Sequence, residues 1–376
     1  MCPASSIATE NGFVESHPSA LDRTQAEWAQ WMEAQGAPSF AGQQIREWLF
    51  GKQILNPESF TNLSKKIREA LIASFTWELP EVDTLLPSRD GSEKILFRTR
   101  DQRFAECVLM PSENRVTLCV SSQVGCRFGC TFCQTGKMGF TRHLSSGEIL
   151  GQLLLGNQRL RARGMEDRKV SNVVFMGMGE PLDNLEAVIE ACTVMTDPKL
   201  FGLSKHRVTV STVGLVPEIR ELGKRVAVSL AISLHSAEDA HRSRMMPINR
   251  KYPLQTLKEA LLDYPVQTRH GITFEYVMIQ GENDSLTAAK RLVKFLHGLK
   301  AKVNLIPMNA HPGNPMRASE EERLKAFQNY LSDRSIPAPI RYSRGQDVSA
   351  ACGQLASKRR DELNLGPREV MRARKT

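Results

Sequence analysis

Three cysteines lie within eight residues, in Cys126-Arg127-Phe128-Gly129-Cys130-Thr131-Phe132-Cys133. Three thiolates that close together can clasp one metal centre. A cubane of four irons takes four ligands, so three protein thiolates leave one iron open to a small molecule. Zinc is the competing occupant. Structural zinc takes four protein ligands, commonly from two cysteine pairs, and no second pair stands in this sequence. Idle thiols at this spacing in a polar loop would be prone to oxidation. Two further cysteines, Cys119 and Cys352, stand apart from the loop.

The 376 residues are 41% hydrophobic, enough for one large domain with a small one. Eight cysteines, clustered as these are, point to metal and catalysis rather than a disulfide scaffold, and to a reducing, cytoplasmic compartment. Met1–Asp22 has no apolar core of signal-peptide length, and no run approaches the ~18 apolar residues of a membrane span. The net charge of +9 suits either a polyanionic partner or a basic enzyme. The excess gathers in the tail from Ala356 to Thr376, with seven Lys/Arg against three acids. A second basic cluster holds Arg159, Arg161, Arg163, Arg168 and Lys169.

The elements that must position these groups follow from periodicity. Residues 1–19 read as a disordered lead. From Leu21 to Phe75 apolar residues recur at helical spacing, as in Trp28, Trp31 and Met32, or Ile45, Trp48 and Leu49, with Pro38 and Pro57 as punctuation. A helical domain over 20–85 is expected. Short strand-like runs follow at Lys94–Thr99, Phe104–Met110 and Arg115–Ser121. Beyond the cysteine loop, apolar strands alternate with amphipathic helices, from Val170–Met176 to a last strand at Pro339–Ser343. That pattern means βαβ units and a parallel sheet. About six repeats are too few for a full eight-fold barrel and predict a partial (β/α)6 barrel within a core domain over 90–345, open to a large substrate. A segment over 346–376 carries Cys352 and the basic tail.

In parallel α/β folds ligands gather at the C-terminal ends of the strands. Val173-Val174-Phe175 runs into Met176-Gly177-Met178-Gly179-Glu180-Pro181, where glycines allow close backbone approach and Glu180 can accept from an ammonium. Other strands end at Ser211-Thr212, at Ser233-Leu234-His235 and at Pro307-Met308-Asn309. Each alone reads as a turn or cap; four polar ends above one cysteine loop read as a pocket.

The spacing C-x3-C-x2-C with an aromatic before the last cysteine resembles the radical S-adenosylmethionine (SAM) superfamily, in which SAM chelates the open iron. Nearly the whole chain resembles the RlmN family of radical SAM adenine C2 RNA methyltransferases. The motifs are Cys119-Val-Ser-Ser-Gln-Val-Gly-Cys126, Val174-Phe-Met-Gly-Met-Gly-Glu-Pro181, Val210-Ser-Thr-Val-Gly-Leu-Val-Pro217, Met246-Pro-Ile-Asn-Arg-Lys-Tyr252 and Ala350-Ala-Cys352-Gly-Gln-Leu355. The resemblance implies a 4Fe-4S cluster on Cys126, Cys130 and Cys133. It implies SAM contacts at Gly179, Glu180, Ser211, Ser233, Leu234, His235 and Asn309. It implies two SAM molecules per turnover. Cys352 is first methylated, a 5′-deoxyadenosyl radical activates that methyl, and the carbon joins adenine C2. Glu106 is the implied base, and Cys119 the partner that resolves the crosslink through a transient disulfide. The implied partners are RNA (23S rRNA and tRNA) and an electron donor such as flavodoxin or ferredoxin, for a monomer without membrane attachment. The helical domain and basic tail are expected to serve RNA binding.

Read without the resemblance, Glu106 is the wet face of an alternating strand and Cys119 a small core residue. Cys107 and Cys192 read as core, and His235 and His143 as capping or hydrogen-bonding residues. Two stretches depart from the commonest family pattern: Arg127-Phe128-Gly129, and His143 where Asn is more usual. Both border the expected substrate mouth. The neighbouring activity is the Cfr type, which methylates adenine C8; Arg344-Gly345 ahead of Asp347 looks more like the C2 enzymes. A non-catalytic, zinc-bearing RNA-binding protein is the reading from another class.

Overall fold

The computed structural model describes residues 17–266, 271–309 and 315–348. The chain divides into two compact units, Met1–Leu79 and Pro80–Thr376. In the first, helices α1 (Gln25–Ala34), α2 (Ala41–Arg46) and α3 (Lys65–Ser74) are set by local signals. Thr24 and Glu27 form a capping box on α1, and the Ser64 hydroxyl accepts from the Ile67 N–H at the start of α3. The periodic apolar residues become an aromatic core: Trp28 lies 4.8 Å from Phe75, and Trp48 stacks on Phe60 at 5.3 Å between centroids.

The second unit opens with an antiparallel meander, β1 (Glu81–Pro87), β2 (Glu93–Arg98), β3 (Phe104–Ser112) and β4 (Arg115–Cys119). The cysteine loop follows, bracketed by a small sheet of β5 (Gln123–Gly125) and β6 (Phe140–His143), with the single turn α4 (Gln134–Lys137) inside it. Then come α5 (Ser146–Ala162), β7 (Asn172–Phe175), α6 (Leu185–Thr196), β8 (Val208–Thr212) and α7 (Val216–Arg225). The chain continues through β9 (Ser229–Ser233), α8 (Asp239–Met245), α9 (Leu254–Leu262), β10 (Ile272–Met278), α10 (Leu286–Leu296), β11 (Ala301–Pro307) and α11 (Glu321–Ser332). One nine-stranded sheet results, ordered β1-β2-β3-β4-β7-β8-β9-β10-β11. From β4 onward all neighbours are parallel, giving six parallel strands. The architecture is the α/β one expected, and β4 serves both halves: it ends the meander and starts the parallel run.

Pleating sorts the side chains. On one face Leu118 lies against Gly156 of α5, Phe274 meets Phe295 of α10 and Tyr276 meets Phe327 of α11. Helices cover that face. Cys119, Val174, Thr209, Ser211, Ser233 and Glu275 therefore share the other, inner face, as their cross-strand pairing requires.

Two expectations change. Pro339–Ser343 does not form a strand; Ile340 makes only an isolated bridge to Leu305. Pro337 and Pro339 accept from Val303 and Leu305 but have no N–H to return, so the ladder stops. The basic cluster after the cysteine loop is largely spent inside the fold. Arg159 forks onto Glu93 at 2.9 and 3.0 Å, Arg163 donates to the Gly91 carbonyl, and Arg168 donates to that of Ser112. These arginines strap the α5 region to the meander.

Candidate active site

The cysteine loop is closed at its base by backbone contact. The Cys126 N–H donates to the Gly139 carbonyl at 2.9 Å. A Cβ on Gly125, at φ +80, would lie 1.9 Å from that same carbonyl oxygen, so only glycine fits. The loop rests on an apolar bed at the strand ends: Cys130 packs with Val213, Met245, Met246, Ile279 and Met308, and with Phe128 and Phe132 beside them. The Thr131 N–H donates to the Met245 carbonyl, and Phe132 meets the His235 ring edge-on at 4.5 Å.

The three thiols lie within electrostatic reach of one another. Burial, and then mutual repulsion, pushes Cys130 well above the ordinary thiol range. Burial raises Cys126 to about 12 and raises Cys133 as well. The Phe128 N–H donates to Cys126, and the Gly136 and Thr135 N–H groups donate to Cys133. Thiols that repel one another in a dry site, yet already face N–H donors, are suited to bind as thiolates to a cationic iron centre. Among the described residues no three His, Cys, Asp or Glu side chains gather around a single-ion position. One zinc would need all its sulfurs at about 2.3 Å, whereas a cluster presents a separate iron to each. The donor set fits the cluster.

Beside the loop stands a wall of braced groups. Glu180 is 2% exposed. One carboxylate oxygen accepts from Leu182 N–H at 3.1 Å and the other from Val213 N–H at 2.9 Å. Burial lifts it to about 7 despite these donors. A Cβ on Gly179 would fall 2.5 Å from the Gln123 side chain; the glycine lets the β7 exit close against the β5 strand, and the Glu180 N–H then reaches Gln123 Oε1 at 2.8 Å. Ser211 and Ser233 point inward from β8 and β9. Leu234 and His235 donate backbone N–H groups to the Glu275 carbonyl. His235 holds φ +58, a sparsely populated conformation for a non-glycine residue. Its Nδ1 accepts from Val277 N–H at 3.1 Å, and burial, with Arg242 nearby, drops the ring to about 3. It is neutral, as a hydrogen-bonding histidine should be. Asn309 lies just beyond β11 and donates to the Ser343 hydroxyl.

Sequence reasoning missed the group that holds this wall together. Arg242, 1% exposed, donates to the carbonyls of Leu234 (3.1 Å), Ser233 (3.0 Å) and Val213 (2.8 Å) and to Asn249 Oδ1 (2.7 Å). The available signal was Asn249 itself, inside the motif Met246–Tyr252.

A second group occupies the inner face near the meander. Cys119 pairs with Val108 of β3 and Val174 of β7. Burial raises its thiol to about 12, and the Met176 N–H opposes the rise. Glu106, two residues before Val108 on the same face, is 2% exposed. There is no wet face at this point of β3, contrary to the plain strand reading. Lys94 Nζ lies 3.6 Å from Glu106 Oε2, with both side chains buried. Cys107 and Cys192 are core, as expected. His143 Nδ1 contacts Gln123 Nε2 at 3.0 Å. All six cysteines among the described residues are free thiols. Cys352 and the basic tail lie outside the described residues. No helix among them is long and apolar enough to cross a membrane.

Residues 120–292 match the family model of the radical SAM superfamily. Residues 20–76 match that of the ribosomal RNA large subunit methyltransferase N-terminal domain. The chain is 44% identical to the dual-specificity RNA methyltransferase RlmN of Syntrophotalea carbinolica, over 89% of this chain and 88% of that one. It is 41% identical to the protein of that name from Rhodopseudomonas palustris, over 99% of this chain and 97% of the relative. The crystal structure of a radical SAM methyltransferase from Sphaerobacter thermophilus superposes with a TM-score of 0.82 at 40% identity, covering 90% of this chain and 98% of that one. The chain is thus a SAM-dependent RNA methyltransferase and belongs to the RlmN family of radical SAM enzymes.

Proposed function

We propose that the chain methylates C2 of an adenine in 23S rRNA and in tRNA through Cys352 and Cys119. The observation that carries this reading is the inner face itself. Glu106 and Cys119 share it with Ser211 and Ser233, below the strand ends where the cysteine loop rests. Adenine C2 has no nucleophilic character, so it cannot take a methyl from SAM by simple displacement; a thiolate can. In this reading Cys126, Cys130 and Cys133 hold the cluster. Gly179, Glu180, Ser211, Ser233, Leu234, His235 and Asn309 hold SAM, with Glu180 accepting from its ammonium.

The bound cluster and two SAM molecules supply the methyl group and the radical hydrogen abstraction that activates it. The chain's own residues do the rest. Cys352 accepts the methyl on its sulfur and tethers that carbon to C2. Glu106 takes the C2 proton, whose bonding pair stays in the ring, and the unpaired electron of the adduct would pass to the oxidised cluster as one-electron acceptor. Cys119 thiolate attacks Sγ of Cys352. The S–S bond forms, the carbon–sulfur bond breaks with its pair on carbon, and that carbon takes a proton to become the methyl. The Cys119–Cys352 disulfide is then reduced for the next cycle. The helical unit over 20–76 and the basic tail serve RNA binding, where phosphate contacts dominate affinity. A flavodoxin- or ferredoxin-type donor supplies electrons to a cytoplasmic monomer.

Membership of a methyltransferase family sets aside the non-catalytic zinc reading. The test is to incubate the cluster-loaded enzyme with SAM, reductant and RNA, and to identify the product nucleoside by mass spectrometry against standards. 2-Methyladenosine supports the reading. 8-Methyladenosine would assign the Cfr-type reaction instead.

A further inference from the structure

Beyond α11 the chain runs from one edge of the sheet to the other. The outer strands of the nine are β1 and β11. At β11 the Arg341 N–H donates to the Leu305 carbonyl at 2.7 Å, and the Ser343 hydroxyl accepts from Asn309. The next residues are fastened to the turn between β1 and β2. Arg344 donates from Nη2 to the Asp90 carbonyl at 2.6 Å and from Nη1 to the Pro111 carbonyl of β3 at 2.8 Å. Its Nε donates to Asp90 Oδ2 at 3.3 Å, and the Gly345 N–H donates to the same oxygen at 2.9 Å. Asp347 accepts from the Ser88 hydroxyl at 2.6 Å and from the Arg89 N–H at 3.1 Å.

The Arg344 and Asp90 side chains are 33% and 37% exposed, and ion pairs in such surroundings add little to global stability. What the contacts do is fix a point on the chain. Cys352 follows Asp347 by five residues, which span at most ~18 Å. Lys94, Val108 and Cys119 stand level across β2, β3 and β4, and Ser92 precedes Lys94 by two residues. Two strand spacings across and two residues along place this turn roughly 12 Å from Cys119. The fixed point is therefore within the tether's reach of Cys119.

We propose that Arg344, Asp90, Ser88 and Asp347 form a clasp that starts the Cys352 tether at the meander and so raises the effective concentration of that thiol at Cys119. They are positioning residues, acting through Cys352. The inference rests on the reading of Cys352 and Cys119 as the working pair. Effective concentration falls as about the −3/2 power of tether length. Without the clasp, the last held residue among those described is Ser343, at β11. The tether then grows from five residues to nine. Length alone lowers the effective concentration about twofold, and moving the start to the other edge of the sheet lowers it further.

The test is the thiol–disulfide equilibrium of the full chain in glutathione buffers, read by peptide mass spectrometry on the fraction whose Cys352 is unmethylated. One oxidised glutathione is reduced to two glutathione thiols, which take up the two protons, as the Cys119–Cys352 bond forms. Arg344→Met/Asp347→Ala should lower the equilibrium constant at least about twofold. Inserting about fifteen Gly/Ser residues between Val348 and Ser349 keeps the clasp and lengthens the tether about fourfold, so a fall of about eightfold is expected. Should the double variant fail to fold, the insertion alone decides. Iron content and the rate of Cys119 alkylation by iodoacetamide should match the parent's in both. An unchanged equilibrium constant in either variant would overturn the clasp, and so would a fall that comes with lost iron, which marks a merely structural role. A parent chain that forms no Cys119–Cys352 disulfide would instead overturn the reading of that pair.

Discussion

Replacing Arg242 with Met should cost about 3–5 kcal/mol of stability, on the scale of breaking a buried charged network. The guanidinium makes four hydrogen bonds between 2.7 and 3.1 Å, three of them to backbone carbonyls. Each buried acceptor left without a donor costs about 1–3 kcal/mol, so four of them set an upper limit near 4–12 kcal/mol. Against that stands the desolvation that the variant escapes. Burial has already pulled Arg242 down to about 10, which says that the site is expensive for a cation. Met also fills much of the same volume. The net falls toward the lower half of the range. In a unit of this size 1 kcal/mol moves Tm by about 2–4 °C, so a fall of roughly 6–12 °C is expected. Thermal unfolding of anaerobically purified protein measures it. SAM affinity of the folded variant should weaken too, because Ser233 and Leu234 lose their anchor. Arg225→Met is the control: its pair with Glu186 is exposed, and such pairs are worth about 0–1 kcal/mol. If Arg242→Met melts within 2 °C of the parent (on the scale of ~1 kcal/mol), the brace reasoning is wrong.

Cys126→Ala, Cys130→Ala and Cys133→Ala should each abolish iron loading and activity while the far-ultraviolet spectrum stays native; full loading in any one refutes the ligand set. Cys119→Ala should accumulate a covalent protein–RNA complex that survives denaturation, and adding Cys352→Ala should remove it. A Cys119 of purely structural importance would give ordinary turnover, at a stability cost of about 1 kcal/mol. The inner-face Glu275 is raised to about 7 by burial, with Asn304 donating to it at 2.8 Å. A raised carboxyl favours the folded state most below its ordinary pKa, and that advantage is lost as pH rises through about 7. Glu275 by itself should therefore lower the unfolding free energy between pH 5 and 8 by on the order of 2 kcal/mol, read as the difference between the pH profiles of the parent and Glu275→Gln.

What could be read from the chain, and what could not, divides by distance along it. The cysteine loop, the helical periodicity of residues 21–75 and the strand ends are local features. They depend on residues a few positions apart, whose geometry follows from backbone rules alone. Even Pro339 carried its own correction, since a chain without an N–H cannot continue a ladder. The basic residues after the loop misled, because charge says nothing of where a side chain is spent. Arg159 found Glu93 across 66 residues.

The sequence by itself determined the ligand-bearing loop, the alternation of strand and helix, and the chemistry open to its cysteines. Only the tertiary structure decided the neighbours. Cys119 meets Val174 because β4 and β7 are parallel partners, and Glu180 is braced by Val213, 33 residues away. Arg242 and Lys94, both charged, are among the most deeply buried side chains, which a count of hydropathy would place at the surface. The acceptors of Arg242 on Val213 and Ser233 come together only after a crossover has set β8 beside β9, and Glu106 reaches Lys94 only through the pairing of β2 with β3. Register is a property of all the packed strands at once, so no local stretch of sequence contains it.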